Sequence, residues 1–122
     1  MLYLEDADED KLLDLIKKGS SKSFEVLYQR YHKRIYTYAL RLLPSSYHAE
    51  EIVQNVFIAV WNQRTSLNFT TTFSSYIFGI TRHMVYRQIR QKINQEAYAA
   101  YVLYNNSEYA FVTEDEIAYN EL

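Results

Sequence analysis

The sequence predicts an all-α protein, a compact bundle of three to four helices with a long last helix. Three observations predict it. Apolar residues recur at three- and four-residue spacing over most of residues 8–95, and no stretch alternates strongly enough to compete as a strand. Only two Gly and one Pro interrupt the chain, so long helices are easily accommodated. The breakers and short polar residues that do occur (Gly19, Pro44, the Ser20-Ser21 and Ser45-Ser46 pairs, and Asn68 to Thr72) fall between the periodic segments.

The first helix is predicted over Asp8 to Lys18, with Leu12, Leu13, Leu15 and Ile16 as its apolar side and Gly19 as its stop. Acids crowd its first turn and Lys17-Lys18 its last, as the helix dipole favours. Ser20 or Ser21 can cap the second helix, which runs to about Leu43 with Phe24, Leu27, Tyr28, Tyr31, Ile35, Tyr38 and Leu42 at helical spacing. Pro44 ends it, and Ser45 or Ser46 caps the third. The third helix runs to about Gln63 with Ala49, Ile52, Val53, Val56, Phe57 and Val60 inward. Arg64 to Thr72 reads as a polar loop, because a run of Asn and Thr is poor helix material. The fourth helix starts near Phe73 and continues to Gln95 or beyond, with Phe73, Ile77, Ile80, Met84 and Val85 inward and Ile80 and Met84 fully buried. The segment Ala97 to Tyr104 can prolong it, and Asn105 to Leu122 is acidic.

A chain of 122 residues suggests one domain, and 48% hydrophobic with 23% charged residues is ordinary for a globular protein. The absence of Cys excludes a disulfide framework and thiolate chemistry. No apolar run is long enough to span a bilayer, and the acidic N-terminus is unlike a signal peptide. These features suggest a cytoplasmic protein without membrane insertion. Thirteen Tyr and six Phe are many for this length; most are expected in the core, and exposed ones can stack on bases.

Charge is unevenly placed. All thirteen Lys and Arg lie between Lys11 and Lys92, against Asp14, Glu25, Glu50 and Glu51, so this stretch carries a charge near +9. From Ile52 to Gln95 there is no acid. Both ends are acidic, with Glu5, Asp6, Asp8, Glu9 and Asp10 at one and Glu96, Glu108, Glu114, Asp115, Glu116 and Glu121 at the other. A basic body of this kind suggests a polyanion partner, and a solvated basic face with acidic tails accounts for it equally well.

No hydrolase pattern is present: there is no His-Glu-x-x-His, Gly-rich phosphate loop or Gly-x-Ser-x-Gly. His32, His48 and His83 fall on three different helices, and His48 with Glu51 offers at most two metal ligands on one face. The fourth helix says more. Arg82, Tyr86 and Arg90 are spaced by four and share a face, flanked by His83 and Arg87, with Lys92 further on. Guanidinium groups neutralise phosphates and a ring stacks on a base, so the stripe suits nucleic acid; a solvated face is the alternative. The preceding Asn68, Phe69, Thr70 and Thr71 offer amide and hydroxyl groups beside a ring, although Phe69 can equally plug the core. On the third helix the outer stripe is Glu51, Gln54, Asn55, Ile58 and Asn62. An exposed Ile among uncharged polar groups reads as a protein-contact surface.

These motifs together resemble region 2 of the extracytoplasmic-function (ECF) sigma factors of bacterial RNA polymerase. Phe24-Glu25-Val26-Leu27-Tyr28 is similar to the family's segment 2.1, Ala49-Glu50-Glu51-Ile52-Val53-Gln54-Asn55-Val56-Phe57 through Trp61 to segment 2.2, and Asn68–Thr72 with Phe73–Lys92 to segments 2.3 and 2.4. The resemblance covers roughly residues 11–95. Asn55 stands where the family commonly has an acid, Tyr76 for Trp, Thr81 for Ala, His83 for Asn and Arg87 for Asp. The resemblance implies a non-catalytic domain without cofactors. It implies that Glu51, Gln54, Asn55, Ile58 and Asn62 grip the coiled-coil clamp of the polymerase β′ subunit. Asn68 to Thr71 and Arg82, His83, Tyr86, Arg87, Arg90 and Lys92 would hold the single-stranded non-template strand of the minus-ten promoter element. An anti-sigma factor is a further implied partner. The domain is expected over 1–104, with 105–122 as the acidic start of a linker towards a region 4 that does not follow, as in a piece holding region 2 alone or a shortened relative. The alternative functional reading is an interaction module that keeps the clamp surface without DNA binding; an enzyme is a distant third.

Overall fold

Each helix is preceded by a short polar residue whose side chain accepts from the backbone N–H three residues further on. Asp8 caps α1 (Glu9–Lys17) through Lys11 N at 2.8 Å, Ser20 caps α2 (Ser21–Leu42) through Ser23 N at 3.1 Å, and Ser45 caps α3 (Ser46–Asn62) through His48 N at 3.4 Å. Thr72 does the same for α4 (Phe73–Asn105), accepting from Ser75 N at 3.1 Å. The computed structural model describes residues 4–67 and 72–106. Its regular elements there are these helices and two 3-10 turns, Leu4–Asp6 and Arg64–Ser66.

The stops are equally local. Gly19 takes φ +94°, donates to Ile16 O at 2.9 Å, and lets Ser20 N reach Leu15 O at 3.0 Å. This pair of bonds closes α1 at the one position where a side chain would strain the left-handed backbone. Leu43, ahead of Pro44, is extended at φ −134°, ψ 93°, as a residue before proline prefers, and α2 ends there.

Two units make up the chain, Met1–Val85 and Tyr86–Leu122. In the first, α2 is the spine. Its buried row is Ser23, Leu27, Tyr31, Ile35 and Ala39, spaced by four. α1 presents Leu12, Leu13 and Ile16, and α3 presents Ala49, Ile52, Val53, Val56, Phe57 and Val60, all buried. Leu67 is buried just beyond the second 3-10 turn. Arg30 Nη2 donates to the carbonyls of Glu5 and Ala7, which ties the N-terminal turn to α2.

Side-chain rotation departs from the sequence expectation in three places. On α2, Phe24, Tyr28 and Tyr38 are only half-buried and Leu42 is exposed, because the helix meets its neighbours along the four-spaced row and Leu43, past the helix end, fills the last core position. On α1, Leu15 is half-buried. On α4 the buried row is Phe73, Ile77, Thr81 and Val85, whereas Ile80 and Met84, expected at the centre, are half-buried flanks. Thr81 can occupy the centre because its hydroxyl donates to Ile77 O at 2.7 Å, so no polar group is left unpaired.

The second unit's described residues, 86–106, continue α4 to Asn105 and include no buried residue.

Two consequences can be measured. Ile77→Ala should cost roughly 2–5 kcal/mol through lost burial and a cavity, Ile80→Ala distinctly less, and Arg90→Ala under about 0.5 kcal/mol, by urea melts; equal costs for Ile77 and Ile80 would place α4 in a different rotation. Tyr31 is 4% exposed and its hydroxyl donates to Glu9 Oε1 at 2.7 Å. Burial, then the neighbouring carboxylate, pushes its pKa from 10.0 up to about 12. The folded state therefore holds this proton more tightly than the unfolded chain. The stabilisation is complete below pH 10 and is lost as pH rises towards 12, on the order of 2–3 kcal/mol. Tyr31→Phe should flatten the stability profile in that window relative to wild type.

Candidate functional site

The outer face of α3 is set by what the inner face buries. With six residues turned into the core, Gln54, Asn55, Ile58 and Asn62 are exposed, Ile58 at 56%, while Glu51 is half-buried at the edge. Four of the five residues expected on a protein-contact stripe thus stand free to solvent, and the fifth borders it. The stripe holds one charged group, Glu51, so an apolar side chain sits there among amides at little desolvation cost to a partner.

Sequence reasoning did not find what lies beside this stripe. A groove of about 530 Å³ runs between α2 and α3, lined by Tyr28, His32, Lys33, Tyr36, Thr37, Glu50, Val53 and Gln54. Tyr28 and His32 stack in it at 4.7 Å with an interplanar angle of 3°, and His32 Nδ1 lies 3.0 Å from Tyr28 O. The signal was present as the i, i+4 pair Tyr28 and His32, but only the approach of α3 makes it a wall.

At the C-terminal end of α3, Arg64 turns back over Trp61. Its guanidinium lies 4.3 Å from the ring centroid, and Nη1 donates to Trp61 O at 3.0 Å. A cation there caps a helix C-terminus and covers an aromatic face. Tyr76 OH donates to Gln63 Oε1 at 3.0 Å, linking the end of α3 to the first turn of α4 across the loop. Burial raises the pKa of Tyr76 above 10.0, so the hydroxyl keeps its proton. Residues Asn68, Phe69, Thr70 and Thr71, expected to contact bases, lie outside the described residues.

The basic residues of α4 are all exposed. Arg82 and His83 belong to the first unit; Tyr86 at 50% exposure, Arg87, Arg90 and Lys92 belong to the second. Within the second unit Tyr86 and Arg90 stand one helical turn apart, so a ring and a guanidinium are presented together. The glycine one turn before Arg82, Gly79, would admit a Cβ without contact within 4 Å, so it is not there for want of space. Among the described residues no three His, Asp or Glu side chains converge to hold a metal ion. No helix among them is long and apolar enough to cross a membrane.

The sequence model of sigma-70 region 2 matches residues 27–94, which takes in α2 from its second turn, all of α3 and the basic part of α4. The chain belongs to the sigma-70 region 2 family. The domain is also similar to the ECF RNA polymerase sigma factor SigW of Bacillus subtilis (strain 168), with 28% identity over 82 residues, or 67% of the chain. The chain spans 44% of that relative's length. No solved structure matches. The all-α fold expected from periodicity and the family expected from the motifs agree with these findings.

Proposed function

We propose that this sigma region 2 domain binds RNA polymerase core and recognises and opens the minus-ten promoter element during transcription initiation, without catalysing a reaction. The outer face of α3, Glu51 with Gln54, Asn55, Ile58 and Asn62, docks on the β′ clamp coiled coil. The stretch Asn68 to Thr71 and the exposed α4 residues Arg82, His83, Tyr86, Arg87, Arg90 and Lys92 hold the single-stranded non-template strand. The observation that carries this reading is α4 from Phe73 to Gln95: a helical stretch without an acid whose every basic side chain faces solvent, with a half-exposed tyrosine among them. Phosphates are met by the cations and an unstacked base by the ring. Such a protein works in the cytoplasm and is held in check by an anti-sigma factor. In this reading residues 1–104 are the domain and 105–122 begin the linker beyond it.

A second reading has one observation in its favour. Ile58 is 56% exposed on a face of α3 that needs no nucleic acid to explain it. A module that keeps the clamp surface and lacks DNA binding would use that face alone.

Pull-down of a β′ clamp fragment tests the first surface. Gln54→Arg places a cation at the centre of the seam and should lower affinity by about 2 kcal/mol or more, as central interface residues do; recovery equal to wild type removes α3 from the interface. Fluorescence anisotropy on single-stranded minus-ten DNA over a salt series tests the second. Neutralising Arg82, Arg87, Arg90 or Lys92 should each lower the slope of log affinity against log salt by about 0.7 for a true phosphate contact. Tyr86→Ala should instead cost roughly 1–3 kcal/mol with the slope unchanged. Wild-type slopes in all the neutralised variants would leave the interaction module as the better account.

A further inference from the structure

Past Val85, α4 continues as a helix with an apolar row of its own. Ile93, Ala97, Ala100 and Tyr104 follow one another at four, three and four residues and so lie on one face. Ile93 is 52% and Tyr104 41% exposed; Ala100 is exposed and Ala97 half-buried. Tyr98 and Leu103, exposed as well, stand to either side of the row. Contiguous apolar surface of this kind marks a contact site. Two properties of the row say what fits it. The first is its spacing, which reads the same from either end, with large side chains at both ends and alanines between. A second α4 running the opposite way therefore sets Ala97 against Ala100 and Ile93 against Tyr104, and the two-fold axis repeats both pairs. Alanines at the centre let the two helices approach at the short end of the usual range of about 8–10 Å. The second is charge. Arg87, Arg90 and Lys92 precede the row, Glu96 is the only acid between residues 86 and 106, and nothing from Ala97 to Asn106 is charged. A parallel copy would set the three cations against their equivalents. A reversed copy brings Lys92 level with Asn105 of the other chain, where α4 ends, and Arg90 just beyond it. A helix C-terminus carries partial negative charge and favours cations there.

We propose that the distal half of α4 is a self-association surface: a second copy of this chain docks on it antiparallel, through the row Ile93, Ala97, Ala100 and Tyr104. The pairing needs no nucleic acid. Its seam runs from Lys92 to Asn105, about 20 Å of helix at about 1.5 Å per residue. A seam so short falls at the low end of specific interfaces, so the dimer is weak and forms with rising concentration.

Sedimentation equilibrium of the full chain should show monomer and dimer in exchange. Ala97→Arg, at the centre of the seam, should raise the dimer Kd on the order of tenfold or more, as central interface residues do; Tyr98→Arg, off the row, should raise it far less. No described residue from 86 to 106 is buried, so both variants keep the fold, and an unchanged circular dichroism spectrum checks it. The chain has no Cys, so introduced thiols report the orientation. An equimolar mixture of the Ile93→Cys and Tyr104→Cys proteins should oxidise to the mixed disulfide in preference to either self-linked dimer. Equivalent positions at either site are about 16 Å apart along an antiparallel pair, beyond the roughly 7 Å between Cα atoms that a disulfide spans. A chain that stays monomeric at every concentration overturns the surface. Equal effects of Ala97→Arg and Tyr98→Arg overturn the row, and self-linked dimers in excess of the mixed one overturn the antiparallel order.

Discussion

Tyr31 is the point on which the first unit turns. Its hydroxyl holds Glu9 at the start of α1, its ring packs edge-on against Phe73 at the start of α4 at 5.4 Å, and Arg34 lies over it at 5.0 Å. One side chain of α2 thus fixes the entry of two other helices. A phenol suits this position because it delivers a large apolar area and ends in a donor that a carboxylate can take. A phenylalanine would keep the packing and leave Glu9 without that bond.

The same logic runs along α2 and explains the abundance of aromatic residues. Phe24 meets Phe57 at 6.1 Å and Trp61 at 5.1 Å, and Tyr28 meets Phe57 at 4.8 Å, so one edge of α2 is joined to α3 by rings. Tyr38 meets Phe78 at 5.5 Å, and Arg34 also lies 5.3 Å from Phe78, so the other edge is joined to α4. Rings at helix edges span gaps that aliphatic side chains would leave, and the half-burial of Tyr28 and Tyr38 suits side chains with an apolar body and a polar tip.

Because α2 takes the inner faces of its neighbours, their outer faces are left exposed. α3 turns six apolar residues inward and leaves an almost uncharged stripe outside. α4 buries Phe73, Ile77, Thr81 and Val85 and leaves Arg82 and His83 outside. The surface these two helices present is in this sense a by-product of core packing: moving either inner row by one residue would carry the basic or amide side chains with it.

The sequence by itself determined where the four helices begin and where the first two end, since Asp8, Ser20, Ser45, Thr72 and Gly19 act through bonds within a few residues of themselves and Pro44 acts on the backbone of its neighbour. It also determined the inner row of α3, where apolar and polar residues separate cleanly and all six expected positions are buried. The exposure of the basic residues of α4 was legible for the same reason, as charged side chains are costly to bury. The rotation of α4's core row was not. Thr81 reads as polar, and only its bond to Ile77 O, made in the packed helix, lets it displace Ile80 from the centre. Nor could spacing reveal the groove beside Gln54, which exists because α3 passes Tyr28, His32 and Tyr36 at one particular offset. Local bonds are written in neighbouring residues; the offset between helices is a compromise among all the side chains between them, and only the tertiary structure decides it.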